Sequence, residues 1–345
     1  MTQVPTKADP AGARWRITGP IVRLRVFGTD DTYPLAPGAE SIVGTADACE
    51  IRLHDPSGLI SRRHAAISEV AGDQVITDLG STNGISIDGK VGKSFSLSPL
   101  DALQVGGLTL LAESASSLAL RDLVQRFVGW SVQAQPDVDR TLRALRDASH
   151  FRSSLIIFAH GSALGVAQRL HDEVVGSHRP FVTRLPDESG VDAQRRAFDG
   201  TLYLDGEKLP RDIQGVLMTL RVPSTRTRLV IGTATVEAAA EVATRIPVVT
   251  RISIPSLEGR GDEVTRVLEA YASDAATKLD AASPNLRADD VSRVRQAGVA
   301  SHVEAAEVMY RLVAVRNWGV VVGAERVGIS HGAMSRYWGR RRIGT

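Results

Sequence analysis

The sequence predicts a multidomain chain, with an all-β sandwich first, an α/β domain in the middle and an all-α helix-turn-helix at the end. Three observations predict it. Short apolar runs, cut by Gly, Asp, Ser and Pro turns, fill the first third. Longer apolar runs then alternate with helical patterns. The last stretch combines helix-period apolar residues with charge of one sign. The 345 residues suit two or three domains, and 43% apolar with 23% charged residues is an ordinary globular mixture.

The leading residues 1–18 are polar and read as disordered. From Ile21 the candidate strands are IVRLRVF, SIVG, CEIRL, AAIS, QVITDL, GISI, SFSL and LTLLA. No helical pattern separates them, as βα units would require. Two turn-rich stretches interrupt them: Ser57–His64 (SGLISRRH) and Asp78–Gly84 (DLGSTNG). In the second, Ser81, Thr82 and Asn83 place two hydroxyls and an amide on one tight loop flanked by Gly80 and Gly84. Ser61, Arg62 and Arg63 add donors from the first, and such a rim suits a phosphate or a polar peptide. An Asn-Gly turn alone is also an ordinary hairpin.

Residues 21–112 resemble a forkhead-associated (FHA) domain, the β-sandwich that recognises phosphothreonine peptides. The resemblance rests on Val43-Gly44, Ser61-Arg62-Arg63-His64-Ala65, Asp78-Leu79-Gly80-Ser81-Thr82-Asn83-Gly84 and Asp88-Gly89. It implies that Ser61 and Arg62 contact phosphate, that Thr82 assists, and that Asn83 holds the peptide backbone. Arg63 joins them as a candidate, and His64 supports the loop. The chain departs from the family at Thr45, which stands where an arginine usually follows the first glycine. Threonine makes no bidentate charged contact. Either Arg62 or Arg63 compensates, or the sandwich serves packing or oligomerisation.

Leu118–Phe127 and Val138–Ala148 read as helices of a connection. LIIFAH, GTLYLD, TRLVIGTA and VVTRISI read as strands, with helices in GSALGVAQRLHDEVV and KLPRDIQGVLMTL. A glycine turn after a strand can cradle phosphate, but HGSALG carries no lysine for the β/γ-phosphates and no hydroxyl after it for magnesium. Residues 152–265 resemble the AAA+ domain of bacterial enhancer-binding activators through LIIFAHGSALGVAQRLH, PFV at 180–182, GTLYLDGEKLPRDIQGVLMTL, RLVIGTAT and VVTRISIPSLEGRGDEV. Asp205 matches the acidic metal-handling position, but Gly206 stands where the water-activating glutamate belongs and Glu207 comes one residue late. Only about seventeen residues separate Val182 from Gly200, too few for the usual intervening elements. The sigma-54-gripping loop is missing, and Arg245 alone does not make paired arginine fingers. The resemblance therefore implies a degenerate scaffold without ATPase chemistry, with no catalytic residue, cofactor or metal.

NLRADDVSRVRQAG and SHVEAAEVMYRLVAVRNWG read as helices, the second with Val303, Ala306, Met309, Tyr310 and Val313 at core or dimer spacing. Val320–Val327, the turn Gly328-Ile329-Ser330 and His331–Arg340 follow as helix, turn and helix, with Ser330 as cap. Met334 and Trp338 share a buried face. From Val308 onward Arg311, Arg316, Arg326, Arg336, Arg340, Arg341 and Arg342 face one acid, Glu325. GAERVGISHGAMSRYWGRRRIG resembles the Fis-type helix-turn-helix of the same activators, with its first part shortened. The expected DNA contacts are Ser330, His331, Gly332, Ser335 and Arg336 in the major groove, with Arg340, Arg341 and Arg342 on phosphates.

These readings divide the chain into a disordered N-terminus (1–18), an FHA-like sandwich (19–115), a helical connection (116–150), a degenerate AAA+-like domain (151–270), a helical bundle or dimerisation region (271–316) and a Fis-type helix-turn-helix (317–345). The expected function is sequence-specific transcription regulation, as a non-ATPase repressor with phosphothreonine-peptide input. The expected partners are double-stranded promoter DNA, a phosphothreonine protein and a second copy of the chain. The alternatives are a phosphorylation-dependent scaffold and an ATP-binding sigma-54-dependent activator. Cys49 is the single cysteine, which excludes an internal disulfide. No segment reads as a signal peptide or membrane span, so the expected compartment is the cytoplasm, with nucleoid association when DNA is bound.

Overall fold

The computed structural model describes residues 17–150, 154–161, 163–222, 225–246 and 249–341. Residues 1–16 of the polar leader, and Arg342, lie outside the described residues. The last two residues of that leader are placed. Ile17 packs on the core beneath the connection, and the Thr18 backbone exchanges hydrogen bonds with the Ser116 hydroxyl.

The first unit is a sandwich of β1 (Ile21–Val26), β2 (Thr32–Pro34), β3 (Ser41–Gly44), β4 (Ile51–Arg52), β5 (Ala65–Val70), β6 (Asp73–Asp78), β7 (Ile85–Ile87), β8 (Lys90–Gly92), β9 (Ser94–Ser96), β10 (Ala102–Val105) and β11 (Leu108–Ser114). One sheet has the order β2-β1-β11-β10-β7-β8 and the other β4-β3-β5-β6-β9. Their inner faces bury Leu24, Val43, Ile76, Leu103 and Leu110 against one another. The strands absent from the sequence reading are β2, β8 and β10.

A capping box between Ser114 and Ser117 starts α1 (Ala115–Val128), and α2 (Gln135–His150) follows. These helices do more than connect. Arg25 of β1 and Glu113 of β11 meet Arg121 of α1 and Asp139 of α2 in a buried network, all four nearly inaccessible. A second tie joins Arg143 and Arg146 of α2 to Asp88, with Arg146 also reaching Asp101. Asp88 belongs to the Asp88-Gly89 pair singled out by the sequence, and both residues take positive φ in the β7–β8 turn.

The middle unit contains β12 (Ser154–Ala159), α3 (Ala163–His171), β13 (Phe181–Thr183), α4 (Gly190–Arg196), β14 (Thr201–Asp205), α5 (Ile213–Leu220), β15 (Arg228–Thr233), α6 (Val236–Arg245) and β16 (Val249–Ile254). The strands are all parallel, in the order β13-β14-β15-β12-β16. Alternation along β12 sends Leu155, Ile157 and Ala159 to one side and Ile156 to the other. The first side is covered by α1, α2 and α3, and the second by α4, α5 and α6. The helical connection is thus one outer layer of the α/β unit.

The last unit is α7 (Glu263–Lys278), α8 (Asp290–Gln296), α9 (His302–Arg326) and α10 (His331–Arg341). Two sequence boundaries are corrected here. A break at 270 would cut α7, whose Val264, Val267, Leu268, Tyr271 and Ala272 share one core with α9. A break at 316 would fall inside α9, and Ala324, Met334 and Trp338 belong to that same core. The core is continuous because Gly319, at φ 75° and ψ 174°, bends α9 and folds its end back so that Gly323 packs on the Ala314 backbone. No helix among the described residues is long and apolar enough to cross a membrane.

Candidate functional site

Two loops form the rim of the sandwich, one before β5 and one before β7, and His64 locks them together. His64 is fully buried, accepts the Ser61 N–H at Nδ1 (3.1 Å) and reaches the Gly84 carbonyl from Nε2 (2.9 Å). Only the neutral tautomer with hydrogen on Nε2 satisfies both contacts. Ser61 Oγ then accepts the Thr82 N–H at 3.2 Å, and Asn83 Nδ2 donates to the Leu59 carbonyl at 2.8 Å. Ser81 Oγ donates to Asp78 at 2.5 Å and accepts the Gly84 N–H at 2.9 Å. Partial burial pushes the Asp78 carboxyl up, but the Ser81 and Gly80 hydrogen bonds outweigh it and hold it below its ordinary value.

The sequence-predicted residues Ser61, Arg62, Arg63, Thr82 and Asn83 therefore sit on one rim. Arg62, Arg63, Thr82 and Asn83 are exposed and Ser61 is half-buried. Neither arginine makes an ion pair within 4.0 Å among the described residues. Thr45 lies beside them, its N–H donating to the Ser61 carbonyl at 3.3 Å. Gly44 explains the closeness, since a Cβ there would stand 2.3 Å from the Arg62 carbonyl oxygen. The sequence reading did not find Cys49 or Asp55. Cys49 Sγ meets the Arg62 carbonyl at 3.1 Å, and Asp55 gathers the Ser57 and Ile60 N–H groups. The Asp-x-Ser pattern at 55–57 was the available signal for the second.

At the other end of the chain, Ser330 caps α10 by accepting the Ala333 N–H at 3.2 Å. Met334 and Trp338 are buried, as expected from their spacing. His331, Ser335, Arg336 and Arg340 lie exposed, with Gly332 half-buried. The basic character is smaller than the arginine count implied. Arg316 forms a buried pair with Asp290, and Arg341 pairs with Glu304 at 2.5 Å. Arg311 pairs with Glu307 and lies 4.0 Å from the Tyr337 ring centre, while Arg326 lies 3.9 Å from that of Trp318. Arg341, expected on a phosphate, thus carries an ion pair with Glu304 in the free chain. Met309 and Val313, read as core or dimer contacts, are fully buried in the chain's own core.

The glycine turn after β12 is filled by the chain itself. A Cβ on Gly161 would stand 2.8 Å from Ser301 Cβ, and one on Gly165 would stand 2.9 Å from Val303. Nearby, the Tyr203 hydroxyl occupies the space a Gly232 side chain would need. Burial pushes that phenol up to about 12. Asp205 is exposed and spends one carboxylate oxygen on the Glu207 N–H at 3.0 Å.

Residues 41–106 match the FHA domain family, so the sandwich carries an FHA domain. Similar solved structures include one from a study of phosphothreonine-dependent FHA interactions, 27% identical, covering 27% of this chain and 94% of its own, with a TM-score of 0.25. An FHA domain from Chlamydia trachomatis is 29% identical over 27% of this chain and 95% of its own, with a TM-score of 0.25. EmbR of Mycobacterium tuberculosis, in complex with a low-affinity phosphopeptide, is 23% identical, over 27% of this chain and 24% of its own, with a TM-score of 0.25. No curated protein matches the chain.

Proposed function

We propose that the protein is a non-catalytic, DNA-binding transcription regulator whose FHA domain takes a phosphothreonine peptide. The observation that carries the DNA reading is α10: a capped helix after a short turn, pinned by Met334 and Trp338, that presents Ser335, Arg336 and Arg340 outward. That arrangement suits a Fis-type recognition helix. The FHA match and the neighbouring exposed Arg62, Arg63, Thr82 and Asn83 support the peptide input. The middle unit acts in this reading as a degenerate AAA+ scaffold. Ser301 in the glycine turn and the missing lysine and glutamate support the absence of turnover. Without the sigma-54 loop, repression as a homodimer on promoter DNA is the mode proposed.

The test measures binding of full-length protein to a selected duplex and to random DNA of equal length. Arg336→Ala removes a guanine contact of about 1–3 kcal/mol and lowers the ratio of specific to random affinity. An unchanged ratio in a folded variant rejects α10 as the reader. Deleting residues 316–345 is the wrong perturbation, because it strands the buried Asp290 and removes Met334 and Trp338 from the core.

A phosphorylation-dependent scaffold is the second reading. It is favoured by the internal engagement of Arg311, Arg316, Arg326 and Arg341. Titration with a phosphothreonine peptide library and genomic footprinting separate the two. Peptide binding with no discrete DNA sites in cells supports the scaffold.

A further inference from the structure

We propose that the groove between α8 and α10 is a seat for the phosphodiester backbone of bound DNA. This proposal rests on the DNA-binding reading. The groove encloses about 760 Å³ and is lined by Arg293, Gln296 and the Ala297-Gly298 backbone from α8 and its exit, by Glu304 of α9, and by Tyr337, Arg340 and Arg341 of α10. Three guanidinium groups and one carboxylate line it, and Asp289 pairs with Arg293 beside it.

Three observations point to a polyanionic strand. First, Arg340 belongs both to this wall and to the exposed face of α10 that carries Arg336. Arg336 and Arg340 are one helical turn apart, about 6 Å along the axis, so the cations continue from the reading face into the groove. A line of guanidinium groups crossing two helices matches an extended polyanion. Second, the Tyr337 ring lines the groove with the Arg341 guanidinium 5.2 Å from its centre, which keeps that cation at the wall. Third, the acid beside Arg293 holds it weakly. Arg293 pairs with Asp289, with 46% and 49% of their side chains exposed. An exposed pair of this kind contributes about 0–1 kcal/mol, which a bidentate phosphate contact can replace.

Arg293 and Gln296 lie on α8, outside the helix-turn-helix, so their contribution is separable from that of α10. The experiment is fluorescence anisotropy of the full chain on a selected duplex and on random DNA of equal length, across several salt concentrations. Arg293→Ala with Gln296→Ala is expected to weaken both affinities by one common factor and to leave their ratio unchanged. It should reduce the slope of log affinity against log salt by about 0.9 for each phosphate no longer neutralised, which is about eightfold in affinity at 0.1 M salt. Arg293→Lys should restore most of that slope, because a point charge suffices for phosphate. Circular dichroism confirms that each variant is folded. Native affinity and slope in the double variant, while Arg336→Ala still loses specificity, overturn the groove and leave the reading of α10 intact. Native protein that binds neither duplex overturns both.

Discussion

His302 makes the joint between the connecting helices and the C-terminal core sensitive to acid. It is 5% exposed, accepts the Tyr271 hydroxyl at Nδ1 (3.2 Å) and donates from Nε2 to the Phe127 carbonyl (3.0 Å) at the end of α1. Burial, followed by the nearby Arg260 charge, pushes its pKa down from 6.5 to about 3. A folded pKa below the unfolded one means that the native state excludes a proton the unfolded chain accepts. The stability contribution is therefore complete above 6.5 and is lost as pH falls towards 3. At about 1.4 kcal/mol per pH unit, going from pH 7.5 to pH 5 costs about 2 kcal/mol. Gln at position 302 keeps an amide donor for Phe127 and does not titrate. Urea unfolding of native protein and His302→Gln, followed by circular dichroism at both pH values, isolates the term. Carboxylates elsewhere contribute equally to both proteins. The reasoning is refuted if His302→Gln loses as much stability between the two pH values as native protein does.

His64→Ala leaves the Ser61 N–H and Gly84 carbonyl without their partner, at about 1–3 kcal/mol for each buried group. A thermal melt should show that loss, and phosphothreonine-peptide titration should show a larger defect than the melt alone explains. Gly44→Ala forces a Cβ against the Arg62 carbonyl and should cost about 1–3 kcal/mol while displacing the Ser61-Arg62 loop; unchanged stability and peptide binding would count against the close approach. Asn83→Ala removes the hydrogen bond to the Leu59 carbonyl, at about 0.5–1.5 kcal/mol, and should weaken the proposed peptide by more than that loss explains, which calorimetric titration beside a thermal melt reads directly. Arg121→Met leaves Asp139 and Glu113 with fewer cations in the buried network and should destabilise by about 3–5 kcal/mol, measured by denaturant unfolding.

The features legible in the sequence were local ones. Strands such as β1 and β5 announce themselves by apolar runs between turns, and the Ser61–His64 and Asp78–Gly84 loops carry their own hydrogen-bonding logic. Strands β2 and β8 have three residues each, too few to show a period, and β10 hides in the mixed run ALQV. Ser330 and the Met334–Trp338 pair were visible because capping and helical spacing act within one turn. What stayed hidden depends on distant partners. Arg316 meets Asp290 across 26 positions and Arg341 meets Glu304 across 37, so a charge count overstated the basic face. The plugging of the glycine turn by Ser301 was equally out of reach, because the two residues meet only after the middle and last units pack.

The Arg25–Glu113–Arg121–Asp139 network changes what counts as a transplantable piece of this chain. The strands close at Ser114, and a cut there looks natural by secondary structure. It would leave buried Glu113 with only its β1 partners Arg23 and Arg25, and would remove the carboxylate that Arg25 shares with α2. Leu100 would also lose its apolar cover, since it sits in the core shared with Leu120 and Leu142. The smallest sandwich with its charges balanced therefore carries α1 and α2, and those helices are also a layer of the next unit. Domain shuffling cannot exchange this FHA module as a bead on a string; a recombinant lineage would have to inherit both units together or rebuild the seam between them.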